Sequence, residues 1–172
     1  MEIYVIKASG AENISDELLK RFQHKKTKSN NRFKTHCYTY LMLDRILDEV
    51  YNIENREIVF DNNKPIMSNM KKHFSISHSR DYIALAFSDS NCGVDIENNR
   101  PRNYEMIAKR MNFQLGTQRD FYVDWTIYEA VYKLATKPQS TQTYEVCDYI
   151  ITAVSENPNE KFELYFETKK EA

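Results

Sequence analysis

The stretch His73–Glu97, HFSISHSRDYIALAFSDSNCGVDIE, decides how the chain is read. It opens on a hydroxyl and imidazole cluster, Ser75, Ser77, His78 and Ser79, and continues as an alternating apolar segment from Tyr82 to Phe87. The polar turn Ser88 to Asn91 follows, and then Gly93-Val94-Asp95-Ile96-Glu97. Successive side chains of a strand point to opposite faces, so Asp95 and Glu97 share one face while Val94 and Ile96 face a core. Adjacent carboxylates repel unless a cation joins them, and a hard divalent ion such as magnesium prefers oxygen ligands of this kind. The plainer alternative is a half-exposed strand whose polar face is acidic.

Working outward, the composition sets the class. A chain of 172 residues suits one domain or two small, closely packed halves, and 41% apolar with 13% aromatic residues argues for a folded core. The net charge of −1 gives no global attraction to nucleic acid or membrane, so electrostatic function has to come from local clustering. There is no apolar run of bilayer length and no basic-flanked leader, which makes a soluble, cytoplasmic protein the expectation. The cysteines, Cys37, Cys92 and Cys147, are odd in number and far apart, and read as reduced packing residues.

Residues 2 to 7 read as a first strand, and Ser15-Asp16-Glu17 as the start of a short helix burying Leu18, Leu19 and Phe22. Between Glu17 and Asp44 no acid occurs, yet Lys20, Arg21, Lys25, Lys26, Lys28, Arg32 and Lys34 all fall there, a pattern that suits an anion such as phosphate or simply a solvated surface. From about residue 31 to 51, Phe33, Cys37, Tyr40, Leu41, Ile46, Leu47 and Val50 recur at helical spacing. Residues 57 to 60 form a predicted strand, followed by a turn at Asp61-Asn62-Asn63 and a fixed kink at Lys64-Pro65. The segments 73–77 and 82–87 are expected to pair as an antiparallel meander, since the link between them is too short for a crossover.

A helix with Tyr104, Ile107, Ala108 and Met111 comes next, then a long one from about Gln118 to Ala135 with Ile127, Val131, Leu134 and Ala135 on its apolar stripe. Its neighbouring stripe carries Trp125, Glu129 and Lys133 at steps of four, which alone signifies only a surface ion pair. Single strands are expected over 144–154 and 161–167, separated by a turn at 155–160. The order of elements predicts an α+β protein of two similar lobes, each an antiparallel sheet with a long helix packed on it, with the boundary near Ser90 and one cleft between them.

Three motifs in this order, Phe74-Ser75-Ile76-Ser77-His78-Ser79, Gly93-Val94-Asp95-Ile96-Glu97 and Trp125-Thr126-Ile127-Tyr128-Glu129-Ala130-Val131-Tyr132-Lys133, with a weaker match at Lys64-Pro65, resemble the 4′-phosphopantetheinyl transferase superfamily. The likeness is to its two-lobed form, related to the surfactin-synthetase activator, and covers roughly residues 15 to 155. It implies a pseudo-dimer, with residues 1–90 as the lobe for the adenine and 3′-phosphate and residues 91–172 as the lobe for metal and pyrophosphate. The implied reaction moves the phosphopantetheine arm of coenzyme A to a serine of an apo acyl or peptidyl carrier protein, in fatty-acid, polyketide or peptide synthesis.

By motif match, Asp95, Glu97 and Glu129 would hold magnesium, or manganese in its place. His78 and Lys133 would contact the phosphates, and Lys64, Pro65, Ser77 and His78 would frame the adenine. The 3′-phosphate would meet Arg21 and either Arg32 or Lys34. The proton acceptor for the carrier serine would be Glu129 or a metal-bound water. A two-lobed form completes its own cleft, so a monomer is expected, and with the cations confined to one region no nucleic-acid partner is indicated. Three departures stand beside the match: Tyr128 replaces the usual lysine before the metal glutamate, the stretch from Glu97 to Trp125 is short, and the glycines that usually follow Lys133 are absent. They leave a second reading, a diverged coenzyme A-binding protein with little transfer.

Overall fold

A computed structural model describes residues 1–15, 30–53, 57–61, 64–68 and 71–166. The chain runs β1 (Glu2–Lys7), a 3-10 helix (Ala8–Asn13), α1 (Asn30–Glu49), β2 (Ile58–Asp61), β3 (Lys64–Met67), β4 (His73–Ser79), β5 (Tyr82–Ser88), β6 (Cys92–Asn98), α2 (Tyr104–Met111), α3 (Gln118–Leu134), β7 (Ser140–Val146), β8 (Tyr149–Ser155) and β9 (Glu163–Phe166). The first sheet has the order β4-β5-β1-β9 and the second β6-β8-β7, while β2 and β3 form a hairpin of their own. The α+β class expected from the sequence is the one observed.

Side-chain alternation explains how the layers stack. In β5, Ile83, Leu85 and Phe87 join Phe74 and Ile6 against Tyr40, Leu43, Ile46 and Leu47 of α1. The opposite face presents Ala84 and Ala86, with Ile3 and Val5, to Val94, Ile96, Ile151 and Ala153 of the second sheet. The outer face of that second sheet is covered by α3, through Phe121 and Tyr122 against Ile150 and through Ala130 and Leu134 against Val154. The layer order is therefore α1, first sheet, second sheet, α3. Because both faces of β5 are covered, all of Ile83–Ser88 is buried, and the strand reads as a continuous apolar run.

Glycine matters at one contact. A Cβ on Gly93 would lie at or inside 3.0 Å of the Ala130 carbonyl oxygen and carbon and of the Leu134 amide nitrogen. Those are backbone atoms that cannot rotate aside, so only glycine lets α3 lie this close to β6. The helix is fixed at its start by a capping box in which Thr117 and Asp120 exchange side-chain and backbone hydrogen bonds. At its end Ala135 takes the left-handed conformation, φ 62°.

Several element-level expectations need correction. Lys64-Pro65 is not a kink but the start of β3, where Pro65 stands opposite Phe60 in a two-stranded hairpin that tolerates a residue without an N–H. The segment 144–154 is not one strand: β7 and β8 pair antiparallel through a turn at Cys147, which takes φ 52° without being a usual turn former. The last strand does not join the second sheet but lies parallel to β1 in the first. Val50 lies beyond α1 and is 47% exposed, while Leu43, which the spacing did not single out, is buried in the core. On α3 the buried residues are Phe121, Tyr122, Thr126, Ala130 and Leu134, while Ile127 and Val131 of the expected stripe are half-buried; the helix presents the small Ala130 where it comes closest to Gly93. The helix expected from Ser15 onward, with Leu18, Leu19 and Phe22, falls on residues 16–22, which lie outside the described residues, as does the turn at Asn62-Asn63.

Candidate active site

Strand β6 and helix α3 bring the acidic motif and the Glu129-Lys133 pair together. Asp95 and Glu97 alternate with the core residues Val94 and Ile96, and so face α3. Lys133 Nζ donates to Asp95 Oδ1 at 2.7 Å and to the Val94 carbonyl at 3.0 Å. Asp95 is 5% exposed. Its Oδ1 also accepts from Ser77 Oγ at 2.7 Å, whereas Oδ2 is buried with no hydrogen-bond partner.

The two glutamates are held differently. Burial pushes the Glu97 carboxyl up from its usual range; a hydrogen bond from Ser79 Oγ, at 2.9 Å, works against that, Asp95 adds to it, and Arg102 and the Trp125 side chain oppose it. Glu129 is raised by burial first and then by Asp95, with Lys133 opposing and Glu97 adding. Among the described residues Glu129 makes no hydrogen bond. Three carboxylates thus sit in one another's field with a single lysine between them, a surplus of negative charge that favours either a proton or a cation.

His78 lies on the α1 face of β4, opposite Ile83, while Ser77 on the other face meets Asp95. Its surface is open to solvent, yet the protein around it removes hydration from a charged imidazole and lowers its pKa; Lys133 and Arg32 act in the same direction, and Asp95 against them. Arg32, in the first turn of α1, is therefore a cation on the His78 side. Lys34 instead lines an open cavity of about 600 Å³ with Lys7, Glu12, Arg80 and Asp81. Arg21 lies outside the described residues.

Lys64 is placed elsewhere. Its ammonium donates to Asn91 Oδ1 at 3.0 Å and to the Cys92 carbonyl at 3.3 Å, and it lowers the pKa of His73, after burial. It belongs to the His73 end of β4, with His78 near the other end. Asn91 in turn donates to the Leu134 carbonyl at 2.8 Å, so Lys64 and Asn91 together tie the last turn of α3 to the start of β6. Tyr128 is 43% exposed and packs with Phe113 and Trp125, at ring separations of 6.0 and 6.1 Å.

Sequence reasoning missed the partners of the carboxylates. Ser79 and Ser77 hold one oxygen each, and Arg102 lies within reach of Glu97 and 5.9 Å from the Phe121 ring. The alternation of serines at 75, 77 and 79 was the available signal.

The donor set can be tested against a hard cation. Among the described residues no three His, Cys, Asp or Glu side chains stand close enough together, as placed here, to hold a metal ion. Yet every donor here is a carboxylate oxygen, one of them is buried without a partner, and Glu129 is uncommitted. In donor chemistry the set fits magnesium or manganese.

Among known proteins, this chain is 29% identical over 113 residues to the 4′-phosphopantetheinyl transferase psf-1 of Bacillus pumilus, a match covering 56% of this chain and 48% of that protein. The likeness is to a phosphopantetheinyl transferase. The match spans about half the length of that relative. No protein-family model matches the chain.

Proposed function

We propose that this protein transfers the 4′-phosphopantetheine group of coenzyme A to a serine hydroxyl of an apo acyl or peptidyl carrier protein. The observation that carries this reading is the meeting of Asp95, Glu97, Glu129 and Lys133 at one seam, with Asp95 Oδ2 buried and unpartnered. The likeness to psf-1 of Bacillus pumilus supports it. Asp95, Glu97 and Glu129 would hold magnesium, which supplies neutralisation of the pyrophosphate charge.

The remaining work falls to the chain's own groups. The serine oxygen attacks the phosphorus bearing the pantetheine arm, and the phosphoanhydride bond to the adenosine side breaks. Adenosine 3′,5′-bisphosphate leaves with that electron pair. Glu129, which makes no side-chain hydrogen bond among the described residues, is the chain's own candidate to accept the serine proton. Lys133 fixes Asp95 and adds positive charge beside the leaving phosphate, and His78 with Arg32 offers contacts to the phosphates from the first sheet's side. Residues 1–90, with β9 added to their sheet, and the rest of 91–172 would act as two lobes around one coenzyme A. Nothing in this scheme requires a second copy.

One observation favours the second reading, a coenzyme A-binding protein that transfers little. Tyr128 places an aromatic ring, packed on Phe113 and Trp125, where a further lysine is expected. The test is to incubate the protein with coenzyme A, magnesium and several apo carrier proteins and to weigh each carrier. A gain of one phosphopantetheine supports transfer. Binding of coenzyme A with no gain on any carrier would establish the second reading instead.

A further inference from the structure

The edge strands of the two sheets, β4 and β6, meet without a backbone ladder: among the described residues β4 is paired only with β5, and β6 only with β8. Serine hydroxyls bridge them instead. Ser75 Oγ accepts from the Val94 amide at 3.0 Å, and Ser79 Oγ accepts from the Asn98 amide at 3.1 Å, so two N–H groups that an edge strand leaves unpaired are satisfied. Between them, Ser77 Oγ donates to Asp95 Oδ1 and Ser79 Oγ donates to Glu97 Oε2. All three serines share the face of β4 that stands with Ala84 and Ala86, because their register partners in β5 are Ala86, Ala84 and Tyr82.

The consequence for the carboxylates is specific. Two acids on one strand face repel, and an unrestrained side chain would turn away or take up a proton. Here each carboxylate has one oxygen tied to a hydroxyl of β4. The Ser79 hydroxyl is itself fixed by the amide it accepts from, so its proton has a set direction. In Asp95 both the Ser77 and the Lys133 bonds fall on Oδ1, which keeps Oδ2 uncommitted. The Ser75 hydroxyl, by contrast, is bonded to backbone of β6 and, among the described residues, to no carboxylate.

We infer that Ser77 and Ser79 are positioning residues that hold Asp95 and Glu97 in the orientation that receives a divalent cation, while Ser75 only joins the two sheets. The inference rests on the metal role proposed above. Hydroxyls of this kind, one shell outside the metal, commonly change affinity 10- to 100-fold when lost.

Manganese titration of the full chain, followed by calorimetry without coenzyme A, provides the test, with thermal melting of each variant in parallel. Ser77→Ala and Ser79→Ala should weaken manganese binding roughly tenfold or more. Ser75→Ala should bind as the wild type does even if it melts earlier, and Ser79→Thr, which keeps the hydroxyl, should restore affinity. Equal weakening in all three alanine variants would mean a merely structural seam and would overturn the inference, as would wild-type affinity in all three. A wild-type protein that binds no manganese overturns the metal role itself, and the inference with it.

Discussion

Replacing Gly93 by alanine tests whether the site depends on how closely α3 lies against β6. The added methyl would come to or inside 3.0 Å of three backbone atoms in the last turns of α3, and none of them can rotate away. The helix must therefore shift outward or β6 must bend. Overpacking of this kind costs typically 1–3 kcal/mol, and the rigid neighbours put Gly93→Ala near the top of that range, about 3 kcal/mol. For a chain of this length each kcal/mol lowers the melting temperature by roughly 2–4 °C, so a fall of about 6–12 °C is expected. Glu129 and Lys133 ride on the displaced segment while Asp95 stays on β6, so the carboxylates separate. A misplacement on the order of 1 Å can cost roughly 100-fold in rate. Circular dichroism melting gives the first quantity and carrier mass against time gives the second. A variant that melts within about 2 °C of wild type and transfers at the wild-type rate would refute the close-packing argument.

Three further outcomes follow from the same geometry. Ala135 holds a left-handed conformation that costs a non-glycine residue roughly 1–2 kcal/mol, so Ala135→Gly should raise the melting temperature despite the added freedom of the unfolded chain, for a net gain of about 0.5–1 kcal/mol. The Glu97 and Glu129 carboxyls have raised folded pKa values, so each favours the folded state when protonated and loses that contribution as pH rises through the folded value. In the absence of divalent cation, Glu97→Gln/Glu129→Gln should then melt above wild type at neutral pH, and the difference should shrink as pH falls toward the ordinary glutamate range. A constant difference across that range would mean that burial does not raise the two carboxyls. Tyr128→Lys should speed transfer if the missing cation limits the reaction, which initial rates with one carrier would decide.

Where periodicity and burial agreed, the sequence could be read directly. Strand β1 came from its apolar, β-branched positions, β4 and β5 from the apolar segment Tyr82 to Phe87 and the short link before it, β6 from the alternation of Val94 and Ile96 with Asp95 and Glu97, and α1 from the recurrence of Phe33, Cys37, Tyr40 and Leu47, all of which are buried. Asp95 and Glu97 on one face, and Glu129 with Lys133 on the next stripe of α3, were legible for the same reason. The packing of α3 was not, since a hydrophobic reading favours Ile127 and Val131 whereas a helix pressed against Gly93 buries Thr126 and Ala130. The β7–β8 turn was hidden because Cys147 carries no turn signature. The place of β9 beside β1 is a tertiary choice that its alternating pattern leaves open. The hydrogen bond from Ser77 to Asp95 was not legible, because a motif names residues without saying which face of a strand each one takes; the register with Ala84 sets that face.

The most direct test of the central claim is to compare wild type and Asp95→Ala for magnesium-dependent transfer of phosphopantetheine, measured as the mass of one carrier protein that the wild type modifies. Asp95→Ala also frees the Lys133 ammonium, so folding of the variant is checked by melting in the same preparation. The account predicts a folded variant that leaves the carrier in its apo mass while wild type converts it. A folded Asp95→Ala that converts the carrier at the wild-type rate would contradict it.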